Sequence, residues 1–107
     1  MLHNLSLESN EHFKVLLGKL ENNFFHEKSA IIRHLIPNEN IVTSEQEFIF
    51  GQISLGLSWG RSFIEDINGN DIFRFSSYDL RYFEIRDNQC LIFEFSTKIE
   101  RIEIYFI

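Results

Sequence analysis

The sequence predicts an α+β fold, with two N-terminal helices packed on an antiparallel β-meander of about five to six strands. Three observations predict it. Apolar residues recur at helical spacing up to Pro37, the period changes to two from about residue 47, and turn signals cut the remainder into strand-length pieces. The 107 residues suit a single domain, 1–107, with a helical part over 1–37 and a sheet over 47–107.

Phe13, Leu16, Leu17, Leu20 and Phe24 share one helical face with Glu11, Lys14, Lys19 and Glu21 between them, which predicts an amphipathic helix over roughly 10–24. Ile31, Ile32, Leu35 and Ile36 continue the pattern until Pro37, which disfavours helix in the residue before it. One helix from 10 to 35 would be about 39 Å long, too long for so small a globule, so a break near Asn22-Asn23 is expected. Ile53, Leu55, Leu57 and Trp59 then alternate with polar or small residues, as a half-buried strand does. Asn68-Gly69 predicts a two-residue hairpin between Phe63-Ile64 and Ile72-Phe73. Asp87-Asn88-Gln89 separates the next pair of strands, and Ser96-Thr97-Lys98 precedes the last. That strand is apolar on both sides (Ile104-Tyr105-Phe106-Ile107), which predicts a central position, with pairing to a symmetry mate as the alternative.

Ten Lys and Arg against sixteen Asp and Glu give a net charge of −6, which argues against a phosphate-backbone binder. The one cysteine, Cys90, makes no internal disulfide, and no export signal or membrane-spanning stretch is visible, so the expected location is cytoplasmic.

The motifs that suggest chemistry each lack their context. Gly56-Leu57-Ser58-Trp59-Gly60 matches the nucleophile elbow of a hydrolase, but residues 61–67 read as strand and every histidine precedes Ser58. His3, His12, His26 and His34 have no metal-ligand spacing, and Cys90 has no evident base. Gly51, Gly56 and Gly60 are followed by no Lys-Ser or Lys-Thr and no helix. Phe73, Phe75, Tyr78, Tyr82 and Phe83 have too few basic neighbours for a base-stacking sheet. No catalytic residue, metal or cofactor is expected.

Charge is unevenly distributed. Residues 1–33 sum to zero and 74–107 to −1, whereas 34–73 hold Glu39, Glu45, Glu47, Glu65, Asp66 and Asp71 against Arg61 alone, a net −5. These acids fall near expected loops and strand ends, where binding sites concentrate. Glu45, Glu47, Glu65, Asp66 and Asp71 are therefore the candidate partner contacts, with Trp59 and Tyr78 as aromatic anchors. On the meander, Glu84 and Arg86, Glu94, Arg101 and Glu103 mix signs and are expected to pair across strands.

In size, acidity and texture the chain resembles an immunity protein of a bacterial toxin system, of the kind paired with contact-dependent growth-inhibition toxins. The resemblance implies a cytoplasmic inhibitor that binds a cognate toxin domain, often a basic nuclease, with carboxylates standing in for substrate phosphates. Two other functions stay open. One is a small-molecule-binding or enzymatic domain with an aromatic-lined cavity and polar groups from Arg61, Ser58 and Tyr82. The other is a structural homodimer subunit joined through its terminal strand.

Overall fold

The computed structural model describes Val15, Gly18, Lys19 and residues 24–36, 38–39, 41–55, 61–76, 79–87 and 89–107. Apart from Val15, Gly18 and Lys19, the regular structure among these is all β, which overturns the expected two-helix α+β fold. Seven antiparallel strands form one sheet: β1 (Ser29–Ile36), β2 (Ile41–Leu55), β3 (Arg61–Asp66), β4 (Asp71–Ser76), β5 (Leu80–Arg86), β6 (Cys90–Phe95) and β7 (Arg101–Phe106). Their order is β4-β3-β2-β1-β7-β6-β5.

The second predicted helix is the strand β1. It lies in the middle of the sheet between β2 and β7. Ala30 and Ile32 point into the core while Ile31 and Arg33 point outward, so both faces of the strand are at least half covered. A two-sided apolar run of this kind satisfies helical spacing by accident. The first predicted helix lies outside the described residues except for Val15, Gly18 and Lys19, which are helical. The Phe24 N–H donates to the Lys19 carbonyl at 2.9 Å, the six-to-one bond that closes helix C-termini.

The long strand β2 shapes the molecule. Its first nine residues pair with β1 and its last six with β3, and a bulge at Gly51 separates the two halves. A Cβ on Gly51 would lie 2.2 Å from the Asp66 carbonyl oxygen, so only glycine lets β3 approach there. The bend folds the β3–β4 arm over β6. Phe73 and Phe75 meet Phe93 and Phe95 with ring centroids 5.4–5.9 Å apart. Phe25, from the turn before β1, stacks on Phe106 at 4.2 Å and touches Phe50 edge-on. The concave side is therefore filled by phenylalanine rings, each in an offset or edge-on geometry that aromatic pairs prefer.

The hairpin at Asn68-Gly69 is present but has a three-residue loop. The Asp66 N–H donates to the Asn70 carbonyl and the Gly69 N–H to the Asp66 carbonyl, and of the pair Asn68-Gly69 only Gly69 has positive φ, at 83°. This is a type I turn ending in a left-handed glycine, not the two-residue turn that requires two such residues.

The terminal strand β7 is central, as expected, but its inner residues Ile102, Ile104 and Phe106 face the aromatic core and not a helical layer. Both of its edges are hydrogen-bonded, to β1 and β6, which removes it as the seam of a homodimer.

Candidate protein-binding surface

The bend in β2 leaves part of that strand uncovered. Because β3 pairs only from Phe50 onward, the edge of Ile41–Phe48 facing away from β1 has no strand beside it among the described residues. Residues 41–47 are all exposed, and Ile41 and Val42 each retain 49% of their surface. The direction of the backbone groups is fixed by two bonds. Phe50 turns its N–H and C=O toward the β1 side, to Lys28 and Glu27, whereas the Ile49 carbonyl turns the other way and accepts from the Ile67 N–H. Alternation along the strand then points the backbone groups of Glu45 and Glu47 toward the open edge.

The five predicted acidic contacts do not form one patch. Glu45 and Glu47 lie on the convex face of β2, opposite Arg33 and Ile31. Glu45 accepts a 2.6 Å bond from the Arg33 Nε, which raises the guanidinium pKa further. Glu47 has no ion pair among the described residues. Glu65 is half-buried and accepts a 2.6 Å bond from Gln52. Glu47 and Gln52 are five residues apart on one strand, roughly 16 Å of extended chain.

Asp66 has a structural task. Its carboxylate accepts from the backbone N–H groups of Asn70 and Asn68 and from the Asn70 amide, and these bonds, led by that to the Asn70 backbone, hold its pKa below the usual carboxylate value. Asp71 is spent on Arg74, with Nη2 at 2.5 Å. The residues Arg33 and Arg74, which lie immediately outside the acidic window of the sequence, both fold back onto it. Counting their two positive charges turns its net −5 into −3. Trp59 and Tyr78 lie outside the described residues.

The convex face over β5–β7 has a different character. Glu94 faces Arg101 across strands, as its sequence pattern predicts, and bridges Arg81 at 2.9 Å and Arg101 at 2.5 Å. Glu103 is buried and accepts from the Tyr105 hydroxyl at 2.6 Å. Burial, reinforced by that bond, pushes Tyr105 up to about 12. Burial likewise pushes the Cys90 thiol up to about 11, so it stays protonated at neutral pH and is no nucleophile. Tyr82 donates to Glu84, which also receives Arg86.

Other candidates resolve in the same way. His26 bonds the Gly51 carbonyl through Nδ1, and His34 lies edge-on to Phe73. His3, His12, Ser58 and the Gly56–Gly60 motif lie outside the described residues, but Arg61–Asp66 after that motif is a strand, where a nucleophile elbow requires a helix. No helix among the described residues is long and apolar enough to cross a membrane. A surface depression of about 580 Å³ on the β3–β4 arm is lined by Ser54, Arg61, Ser62, Phe63, Arg74, Phe75 and Ser76. It contains Arg61 of the expected polar groups; Tyr82 is on β5, at the other end of the sheet order.

The chain matches no known protein family, curated protein or solved structure. Sequence reasoning missed Ile41, Val42, Thr43, Ser44 and Gln46, which complete the exposed stretch of β2. The signal for them was a β-branched run, Ile41-Val42-Thr43, shortly after the turn at Asn38 and Glu39.

Proposed function

We propose that this chain is a toxin-neutralising immunity protein, a non-catalytic domain that takes a basic protein partner on the exposed stretch of β2. One observation carries the reading: seven successive strand residues, 41–47, are exposed, with the carboxylate of Glu47, without an ion pair among the described residues, on the same face as that of Glu45, and with Ile41 and Val42 each half exposed, one on either face, at the start of the same strand. Apolar anchors rimmed by charge are how protein interfaces are built, and acidic groups steer a basic partner into contact. Acidity and size support the toxin-directed class through the resemblance to immunity proteins.

Reversing Glu45 and Glu47 to Lys tests the reading against a cognate toxin domain from the same host. Association slows at low salt, loses its salt dependence, and leaves toxicity unneutralised, while the fold is retained because both side chains are exposed. Unchanged association at both salt concentrations contradicts it. Reversing Glu65 and Asp66 is a poorer test, since Asp66 holds the β3–β4 turn.

A second reading has its own support. Arg61 and Arg74 are diagonal neighbours beside Ser54, Phe63 and Ser76 in the depression on the β3–β4 arm, a composition suited to a small anionic ligand. Titration with inorganic phosphate that shifts the Arg61 and Ser54 amides at millimolar concentration would favour it; absence of any shift excludes it.

A further inference from the structure

We infer that the partner of this protein binds by strand addition, laying an extended lysine- or arginine-bearing segment along the open edge of β2 at Glu45 and Glu47. This mode of contact rests on the proposed acidic docking surface and specifies how it is used.

Three observations carry it. The first is a backbone edge with no strand beside it among the described residues. Glu45 and Glu47 turn their N–H and C=O groups away from β1, on the side where β3 begins to pair only at Phe50. An incoming strand there lies in line with β3 and extends the same pairing, a recurrent mode of peptide recognition. The second is space. Residues 41–47 are exposed, and beyond the bulge at Thr43 the strand is regular from Ser44 to Phe48, about 16 Å that includes both glutamates. The third is charge. Glu47 has no ion pair among the described residues, and the Glu45 carboxylate, though bonded to Arg33, keeps 48% of its side-chain surface.

Charge also decides between occupants. A second copy paired across a two-fold axis at Gln46 would set Glu45 directly opposite Glu47 of its mate, a like-charge arrangement that opposes pairing. A strand with basic residues at alternate positions places its cations beside both carboxylates while its backbone completes the ladder.

The test uses the full chain, labelled for amide NMR, and three nine-residue peptides as probes. One alternates lysine and threonine, one has the same sequence with every lysine backbone nitrogen methylated, and one alternates glutamate and threonine. The N-methylated peptide has the same charge as the first but lacks the N–H groups that face β2 when its lysines lie opposite Glu45 and Glu47, so it cannot form the ladder. The expected result is that the Lys/Thr peptide shifts the Glu45 and Glu47 amides and protects them from exchange, while the N-methylated peptide binds at least about tenfold more weakly. Equal binding of these two overturns strand addition and leaves the acidic surface standing. Equal binding of the Lys/Thr and Glu/Thr peptides overturns the basic partner. Shifts confined to other residues overturn the assigned edge.

Two variants separate backbone from charge. Glu47→Pro removes an N–H that the β1–β2 ladder does not use, and lowers Lys/Thr affinity about tenfold or more. Glu47→Gln keeps the N–H and lowers it about two- to fivefold. Equal losses contradict a backbone contribution. Should Glu47→Pro not fold, the three peptides against the unmodified chain decide.

Discussion

The two halves of β2 have the same backbone and opposite fates. From Phe50 to Leu55 the strand pairs with β3, with Phe50 also bonded to Lys28 and Glu27 and buried in the aromatic core, and Ile53 packed against that core. From Ile41 to Glu47 the strand has a neighbour on one edge among the described residues and is exposed throughout. The halves meet at the Gly51 bulge, where the Asp66 carbonyl approaches the strand too closely for any side chain, and β3 ends at that same Asp66, where the chain turns into β4. Charge divides along the same line. Over β5–β7 the acids are consumed by arginines and tyrosines that hold the sheet face together, whereas at Glu47 no such partner exists among the described residues. Charges that are already neutralised stabilise; charges left facing water are available to a partner.

Removing the device that divides β2 has the largest expected effect. Gly51→Ala places a methyl group 2.2 Å from a backbone oxygen, which no side-chain motion relieves, and lowers stability in urea by more than about 3 kcal/mol. A loss under about 1 kcal/mol would mean that β3 does not need this approach.

The neutralised face comes next. Glu94→Ala leaves Arg81 and Arg101 without their shared acceptor and costs about 2 kcal/mol, measured as a shift of the urea midpoint at constant slope. A cost no larger than that of Glu47→Ala would dissolve the contrast between the two faces.

Alkaline pH sharpens the same point. Cys90 and Tyr105 hold their protons more tightly when folded than their usual values of 9 and 10 imply, at about 11 and about 12. The folded state therefore binds more protons than the unfolded state from pH 9 to 12, so stability falls as pH rises through that range. Cys90→Ala flattens the fall between pH 9 and 11 in a series of melting temperatures, and an unchanged slope would show that the thiol is not desolvated. On the acid side Asp66 has the opposite sign. Its lowered pKa contributes stability above the ordinary carboxylate value of 3.8, which is lost as pH falls through the folded value. Asp66→Asn reduces that acid loss.

The smallest effect belongs to the open edge itself. Glu45→Ala and Glu47→Ala change stability by no more than about 0.5 kcal/mol, as exposed positions do. A larger loss would make them structural.

Much of the sheet was legible in the sequence, and the reasons for the misreadings are specific. Strand β3 and part of β5 alternate between buried and more exposed residues, so period two survives there, whereas β6 and β7 are buried at nearly every position and were legible from their apolar content and the turn residues that flank them. Strand β1 alternates in burial as far as Arg33 but carries apolar residues on both faces, and the run of Ile31, Ile32, Leu35 and Ile36 coincides with helical spacing. The first half of β2 shows no period because neither face is buried, which is also why it is the candidate site. Glu45 and Glu47 were found by charge. The pairing of Glu45 with Arg33 and of Asp71 with Arg74 was not, since a window of sequence cannot contain partners brought to it by folding.

Exchange of individual backbone amides in the isolated protein tests the central claim most directly. Rapid exchange is predicted at Glu45 and Glu47, whose N–H groups face the open edge, and slow exchange at Gln46 and Phe48, whose N–H groups face β1. Protection at Glu45 and Glu47 equal to that of Gln46 and Phe48 would contradict it, because the edge would then already be occupied.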